Sequence, residues 1–320
     1  MILITGGLGF IGLHTARAFL DAGESVGLTQ YRSSRVPEFL KDEVGKRVFI
    51  EPVDMNSPYL IMDAIRKHKP TAICDLFVPR RGTLPAGEDY RVKMEGFLHV
   101  LEAARLNDVP RLSHASSVAV YGSVTEGPYR ETMPLPTTSR SETEAFKKAE
   151  EVLGNYYAGE TGLDIVFLRI GNVYGPLYQR ENRRNTRMLR AAMTGTPVSW
   201  EGVLGGPPYA EDQEDALYIP ECGRAIQMLT MARNLPSQAY NISGGRPGTY
   251  QEMADAIKRV YPEAAIDPLP GKSPRGRSYI GMDISLIKRD VGWEPGYDIN
   301  RGIAEWIDWL RKYPEELGLG

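Results

Sequence analysis

The chain opens on an apolar run, Ile2 to Ile4, that breaks at once into glycines, and the pattern predicts a short buried strand feeding a helix. Helical spacing runs from Phe10 through His14, Ala18 and Phe19 to Ala22, where Gly23 stops it. Short apolar runs at residues 25–29, 48–52, 71–78, 112–121 and 163–170 read as further strands. Between them, residues 59–68, 90–107 and 143–158 carry helical periodicity. On the second of these, Val92, Phe97, Val100, Leu101 and Ala104 form an apolar stripe. Strands alternating with helices imply right-handed crossovers and a parallel sheet covered on both faces. The expected class is therefore α/β, a Rossmann-type doubly wound parallel sheet with a smaller C-terminal substrate lobe. From about residue 172 the pattern loosens into glycine- and proline-punctuated segments, with helices at 219–232 and 250–261. The expected division is a dinucleotide-binding domain over 1–171 and a mainly substrate-binding lobe over 172–320, with segments returning to the first domain.

The turn after the first strand is the most specific local signal. Gly6, Gly9 and Gly12 have G-x-x-G-x-x-G spacing between a strand and a helix start. Gly6 permits the sharp turn, Gly9 lets a ligand approach the backbone, and Gly12 lets the helix pack on the strand. Free N–H groups and the positive helix end then face a pyrophosphate. Phe10 and Ile11 complete this candidate dinucleotide site, with Leu76 and Ile170 at the ends of later strands.

Composition narrows the alternatives. A net charge of −3 gives no basic surface for nucleic acid or anionic membrane. No apolar run reaches the roughly 18 residues of a membrane span, and no charged-then-apolar leader is read ahead of the first strand. Two cysteines, Cys74 and Cys222, suit a reducing compartment, so the expectation is a cytoplasmic protein without a disulfide framework. The four histidines lack metal-ligand spacing, and no metal is expected.

Four motifs carry a resemblance. Residues 5–12 read T-G-G-L-G-F-I-G, residues 116–122 read S-S-V-A-V-Y-G, residues 169–176 read R-I-G-N-V-Y-G-P, and residues 292–295 read G-W-E-P. In this order and spacing they resemble the extended short-chain dehydrogenase/reductases of the NAD-dependent epimerase/dehydratase family, over nearly the whole chain. The resemblance implies a nicotinamide cofactor and a small-molecule substrate. It also implies a homodimer built from two paired helices, here 90–107 and 143–158. Ser117 is implied as the group holding the substrate oxygen, and Lys147 as the ribose contact. Tyr121, Asn172, Tyr174, Glu214 and Arg277 fall at substrate-contacting positions, with Arg275 beside the last. Asp54 and Met55 match the acidic-apolar pair that meets the adenine.

The departures from the family pattern redirect the chemistry. The family's Y-x-x-x-K reads here Thr143-Glu144-Ala145-Phe146-Lys147, so the acid/base phenol is absent. A threonine hydroxyl is a far weaker acid than a phenol of pKa about 10, and shorter. Thr143 is left the positioning of a water or substrate. Lys93 stands where the family has Asn, and a buried lysine with a depressed pKa could take over proton transfer. Glu214 stands where sugar-nucleotide relatives place an Arg on the substrate diphosphate, and a carboxylate there repels phosphate. Val118 and Ala119 replace the Asp-Glu pair of the 4,6-dehydratases, which argues against that subclass. Arg180, Arg183, Arg184, Arg187 and Arg190 form a basic cluster, read as a solvated face or as a grip on an anionic substrate. At the end of the second strand Gln30 stands without an acid, and Arg32 and Arg35 resemble the 2′-phosphate clusters of NADP-binding relatives. NADP is expected ahead of NAD. The function expected is an NAD(P)-dependent oxidoreductase or epimerase acting on a secondary alcohol or ketone with non-standard proton transfer. The alternatives are a dinucleotide-binding sensor or scaffold, and a lyase or isomerase that uses the cofactor transiently.

Overall fold

The computed structural model describes residues 1–31, 36–79, 84–178, 180–274 and 279–317. The elements run β1 (Ile2–Thr5), α1 (Phe10–Asp21), β2 (Val26–Gln30), α2 (Glu38–Lys41), β3 (Val48–Pro52), α3 (Pro58–His68), β4 (Ala72–Asp75), α4 (Ala86–Leu106), β5 (Arg111–Ser117), α5 (Glu142–Thr161) and β6 (Asp164–Ile170). They continue with β7 (Val173–Tyr174), α6 (Arg184–Thr194), β8 (Gln213–Asp215), β9 (Leu217–Tyr218), α7 (Ile219–Met231), β10 (Ala239–Ile242), β11 (Pro247–Thr249), α8 (Tyr250–Lys258), α9 (Ser285–Val291) and α10 (Ile299–Lys312).

Seven strands form one parallel sheet in the order β10-β6-β5-β4-β1-β2-β3. The order reverses direction between β1 and β4, the switch point where doubly wound sheets open a crevice at their C-terminal ends. Ile2, Leu3 and Ile4 are fully buried because helices cover both faces of the sheet. On one face α1 packs on α7 so closely that a Cβ at Gly223 would stand 2.6 Å from the His14 carbonyl. On the other, Phe97, Val100, Leu101 and Ala104 of α4 pack with Leu3, Ile73, Leu112 and Phe167 of the sheet. The stripe of α4 is thus core, and it is not available as an outer face. A separate core under α6, α8 and α10 is built around Trp306, Ile303, Met253 and Met188.

Three boundaries differ from the sequence pattern. The strand expected to 121 stops at Ser117, where residues 118–121 wind into a 3-10 turn capped by the Ser117 side chain. Residues 299–312 form a helix that the loose C-terminal pattern hides, with Ile299, Ile303, Trp306, Ile307 and Leu310 on its buried face. Residues 239–242 form the edge strand beside β6. Among the described residues no helix is long and apolar enough to cross a membrane.

Candidate active site

The glycine turn has the shape of a cradle. Gly6 sits at φ +61°, and a Cβ there would lie 2.8 Å from the Leu76 carbonyl oxygen. A Cβ at Gly12 would stand 2.5 Å from the Gly6 carbonyl, so only glycine lets α1 start this close to the loop. Gly9 is exposed and is the N-cap of α1 without a capping side chain. The first-turn N–H groups of a helix lack internal partners, and here they open toward the crevice. These residues fit a dinucleotide pyrophosphate.

The remaining cofactor positions surround this cradle. Gln30 ends β2, and its carbonyl accepts the Val53 N–H at 2.9 Å. The Asp54 carboxylate accepts from the Asn56 N–H at 2.9 Å. Met55 is buried, and its carbonyl lies 2.9 Å from His99 Nδ1. Leu76 follows β4, with its N–H on the Thr5 carbonyl, and Ile170 closes β6 beside Ser117. Arg32, Arg35, Arg275 and Arg277 lie outside the described residues.

Ser117 ends β5, and Thr143 and Lys147 lie on α5, which packs on β5 and on the turn that follows it. Ser117 Oγ accepts the Ala119 N–H at 3.1 Å, which orients the hydroxyl at the C-terminal end of β5. Thr143 lies in the first turn of α5, and Lys147 one turn later on the same side. Gly122, just past the Ser117 turn, has no room for a Cβ because the Glu144 carboxylate of α5 fills that space. Asn172 is exposed after β6, with its carbonyl accepting from Leu217 N–H at 3.2 Å.

Several expectations need correction. Lys93 is a strut between helices: its ammonium pairs with Asp89 on α4 and Glu142 on α5, and lies 4.6 Å from the Phe146 ring centroid. Burial pulls its pKa down, but the two carboxylates outweigh that and raise it, so Lys93 is no neutral base. Tyr121 is fully buried, donates to Asn241 Oδ1 at 2.9 Å, accepts from Arg169 at 2.7 Å and stacks on Tyr129. Its hydroxyl has no capacity left for a substrate. Tyr174 points into the core against Tyr218 and Trp306, where a Cβ at Gly302 would strike its hydroxyl. Glu214 accepts from the Tyr250 hydroxyl at 2.8 Å, and desolvation raises its pKa against the pull of Arg183 and Arg184.

Part of the basic cluster is engaged by the protein itself, while the buried Nε atoms of Arg183 and Arg187 have no hydrogen-bond partner among the described residues. Arg184 donates to the Gly205 and Gly206 carbonyls, Arg187 to the Glu201 carbonyl, and Arg190 pairs with Glu181. The charged run of α5 is not a solvated face either. Lys147, Lys148, Glu150 and Glu151 are all buried. Lys148 donates to the Pro136 and Thr138 carbonyls and to Glu144, while Glu151 accepts from Arg169 and from Ser116.

Three residues not singled out from sequence stand directly behind Lys147. Its Nζ lies 2.7 Å from Glu150 Oε2, and the same oxygen lies 3.1 Å from His114 Nε2. His114 Nδ1 in turn lies 2.8 Å from Asp75 Oδ2. The available signal is an ionisable residue, Asp75 and His114, within each of two buried strand runs, since buried polar groups demand partners.

Comparison with known proteins bears on the family and the fold. The family model described as "NAD dependent epimerase/dehydratase family" matches residues 2–243. A dTDP-glucose 4,6-dehydratase of Streptomyces niveus is 25% identical, with 97% of this chain and 92% of the relative covered. A solved dTDP-glucose 4,6-dehydratase of Bacillus anthracis in complex with NAD superposes with TM-score 0.82 at 21% identity, covering 98% and 97% of the two chains. The UDP-glucose 4-epimerase of Thermus thermophilus, also in complex with NAD, gives TM-score 0.77 at 26% identity over 97% and 98%.

Proposed function

The chain belongs to the NAD dependent epimerase/dehydratase family, and from that premise we propose that it binds a nicotinamide dinucleotide on residues 6–12 and acts at a secondary alcohol or ketone of a small molecule. The observation that carries this reading is the cradle: three glycines and an uncapped α1 N-terminus follow β1 beside the switch point of the sheet, and a buried lysine on α5 is tied to that sheet through Glu150, His114 and Asp75. When bound, the nicotinamide supplies a reversible hydride acceptor. The first-turn N–H groups of α1 hold the pyrophosphate, and the Lys147 ammonium donates to the nicotinamide ribose. Ser117 Oγ holds the substrate oxygen. With no phenol at 143 and Lys93 tied between carboxylates, the substrate proton would pass to a water positioned by Thr143 Oγ1 and on from it to bulk solvent.

Three finer readings belong with this one. The absence of an acid at the end of β2 leaves a 2′-phosphate unopposed, so NADP is accepted through Arg32 and Arg35. Glu214, held by Tyr250, offers no cation where sugar-nucleotide relatives place an Arg, so a substrate diphosphate gains no charge-assisted contact from this position. The protein also forms a homodimer through the exposed faces of α4 and α5.

One titration tests the core of this reading. NADH and NADPH should both bind by calorimetry, NADPH more tightly, and Gly9→Asp should abolish both by placing bulk and negative charge against the pyrophosphate. Alanine at Arg32 and Arg35 together should weaken NADPH alone, each charge-assisted contact contributing about 1.5–3 kcal/mol. Unchanged affinity in Gly9→Asp would remove the premise. A wild-type preference for NADH would overturn the 2′-phosphate assignment.

A further inference from the structure

We propose that His114 is a positioning residue for Lys147: an imidazolium clamped between Asp75 and Glu150, it holds the Glu150 carboxylate against the Lys147 ammonium and so fixes the ribose-contacting cation. The proposal rests on the reading that Lys147 contacts the cofactor. Its geometry stands apart from that reading and comes from the sheet register. Asp75 and His114 are direct partners on adjacent strands β4 and β5, and α5 lies over β5 with Lys147 and Glu150 one turn apart.

Counting donors and acceptors fixes the protonation state. The Phe77 N–H donates to Thr5 Oγ1, so the single hydroxyl proton of Thr5 goes to Asp75 Oδ1. Asp75 Oδ2 then faces His114 Nδ1, while Nε2 faces a Glu150 oxygen that already accepts from Lys147. A neutral imidazole has one N–H and one lone pair, and would aim that lone pair at a carboxylate oxygen. Two carboxylates on two ring nitrogens call for two donors.

Burial makes the arrangement strict. His114 and Asp75 are each about 2% exposed, and the Phe97 ring lies 4.4 Å from the imidazole. Burial and the Lys147 charge push the His114 pKa down, but Glu150 and Asp75 outweigh them and raise it. Burial likewise acts to raise Glu150, yet His114 and Lys147 bring it to about 2. The charged groups facing the imidazole are Asp75 from β4 and Lys147 and Glu150 from α5. They sum with His114 to two cations and two anions. The far end closes on the Thr5 hydroxyl and a backbone N–H within the sheet, which makes the unit a brace and not a path for protons to water. Pairing with Glu150 still leaves the ammonium, with three N–H bonds, able to donate to a ribose diol.

The test uses the full chain with ¹⁵N-histidine and NADH titrations from pH 6 to 8. Only four histidines are present, so the His114 ring signals are assignable by single variants. Both His114 ring nitrogens should carry protons across that range in the wild type. In Glu150→Gln the ring should lose a proton within it, and NADH affinity should fall on the order of 10-fold, a charge-assisted contact's worth. Asp75→Asn touches neither Lys147 nor cofactor in this reading, yet its NADH affinity should be near wild type at pH 6 and weaken toward pH 8. A merely structural role for Asp75 would not produce that pH profile. A singly protonated His114 in the wild type at pH 7 overturns the proposal. So does wild-type NADH binding by both folded variants at pH 8 while Lys147→Ala is weakened. Failure of the cofactor reading is recognised separately, as absence of NADH binding by the wild type, and it overturns the ribose role while the ring protonation result stands. Should Glu150→Gln not fold, the Asp75→Asn profile and the wild-type spectrum decide.

Discussion

Thr143 and Lys147 occupy one side of one helix turn, yet their surroundings assign them unequal work. Lys147 is held by Glu150 in a buried network, whereas Thr143 is a short, half-buried hydroxyl near the helix start. Thr143→Val should leave NADH affinity unchanged and reduce any turnover found by less than about 10-fold. Lys147→Ala should weaken NADH and cost more of that turnover, because both a ribose donor and a local positive charge vanish. Groups that transfer the proton themselves typically contribute about 10²–10⁴-fold, so steady-state rates separate the two cases. A loss of that size in Thr143→Val, with NADH affinity intact, would make Thr143 the acid/base. At this scale the sequence reads unevenly. The glycine turn is largely local in sequence and legible: Gly6 takes a positive φ and Gly12 packs on Gly6, although the crowding of Gly6 by Leu76 comes from a distant strand end. The Asp75–His114–Glu150 brace is not, because its members sit 39 and 36 residues apart and meet only through strand register.

The elements are easiest to read where one periodicity dominates, as in β1, α1 and β6. They are hardest where two surfaces compete for the same helix. On α4, the sequence leaves Val92, Phe97, Val100, Leu101 and Ala104 open between the sheet and a second copy of the chain, and burial gives them to the sheet. The face that remains is different: Tyr90 and Leu98 of α4 and Val152, Leu153 and Tyr156 of α5 are exposed, Val152 and Tyr156 at 68% and 69%. Tyr90, Met94 and Leu98 recur at four-residue spacing on one stripe. Exposed apolar side chains clustered on two adjacent helices mark an association surface, and in the homodimer we propose a second copy would cover it with the same two helices about a two-fold axis. Light scattering at micromolar concentration should give twice the mass of one chain. Leu98→Glu with Tyr156→Glu should halve that mass while NADH binding persists. A wild-type mass of one chain would refute the assembly.

At the scale of the whole molecule, buried ionisable groups set the response to acid, and opposing contributions must be separated before a slope is read. His14 lies between α1 and the segment after β7, with Nε2 3.0 Å from the Pro176 carbonyl. Burial holds its pKa at about 4 against an ordinary 6.5, the carbonyl offsetting only part. Its folded value is below its unfolded value, so the unfolded chain binds the proton first. The stability it supports is full above pH 6.5 and is lost as pH falls toward 4, a change of about 3 kcal/mol. Asp215 works the other way. Burial raises it to about 6 from 3.8, so the folded chain binds that proton first and gains stability as pH falls from 6 to 3.8, by about the same amount. His114, raised in the folded state, contributes fully below 6.5 and adds no slope in this window, and Glu150, held near 2, yields its share only below about 4.5. Glu214, also raised by burial, acts in the same direction as Asp215, so the wild-type urea midpoint should fall less from pH 6.5 to 4 than His14 alone would make it. His14→Phe keeps an aromatic ring between Phe10 and Phe39 and removes the destabilising protonation. It should start about 1 kcal/mol less stable at pH 7, for the lost hydrogen bond, and gain on the wild type as pH falls, overtaking it before pH 4. Asp215→Asn should do the reverse and steepen acid unfolding. Parallel midpoints for wild type and His14→Phe across the window would mean that His14 is protonated in the folded protein, and would sink this account of the acid response.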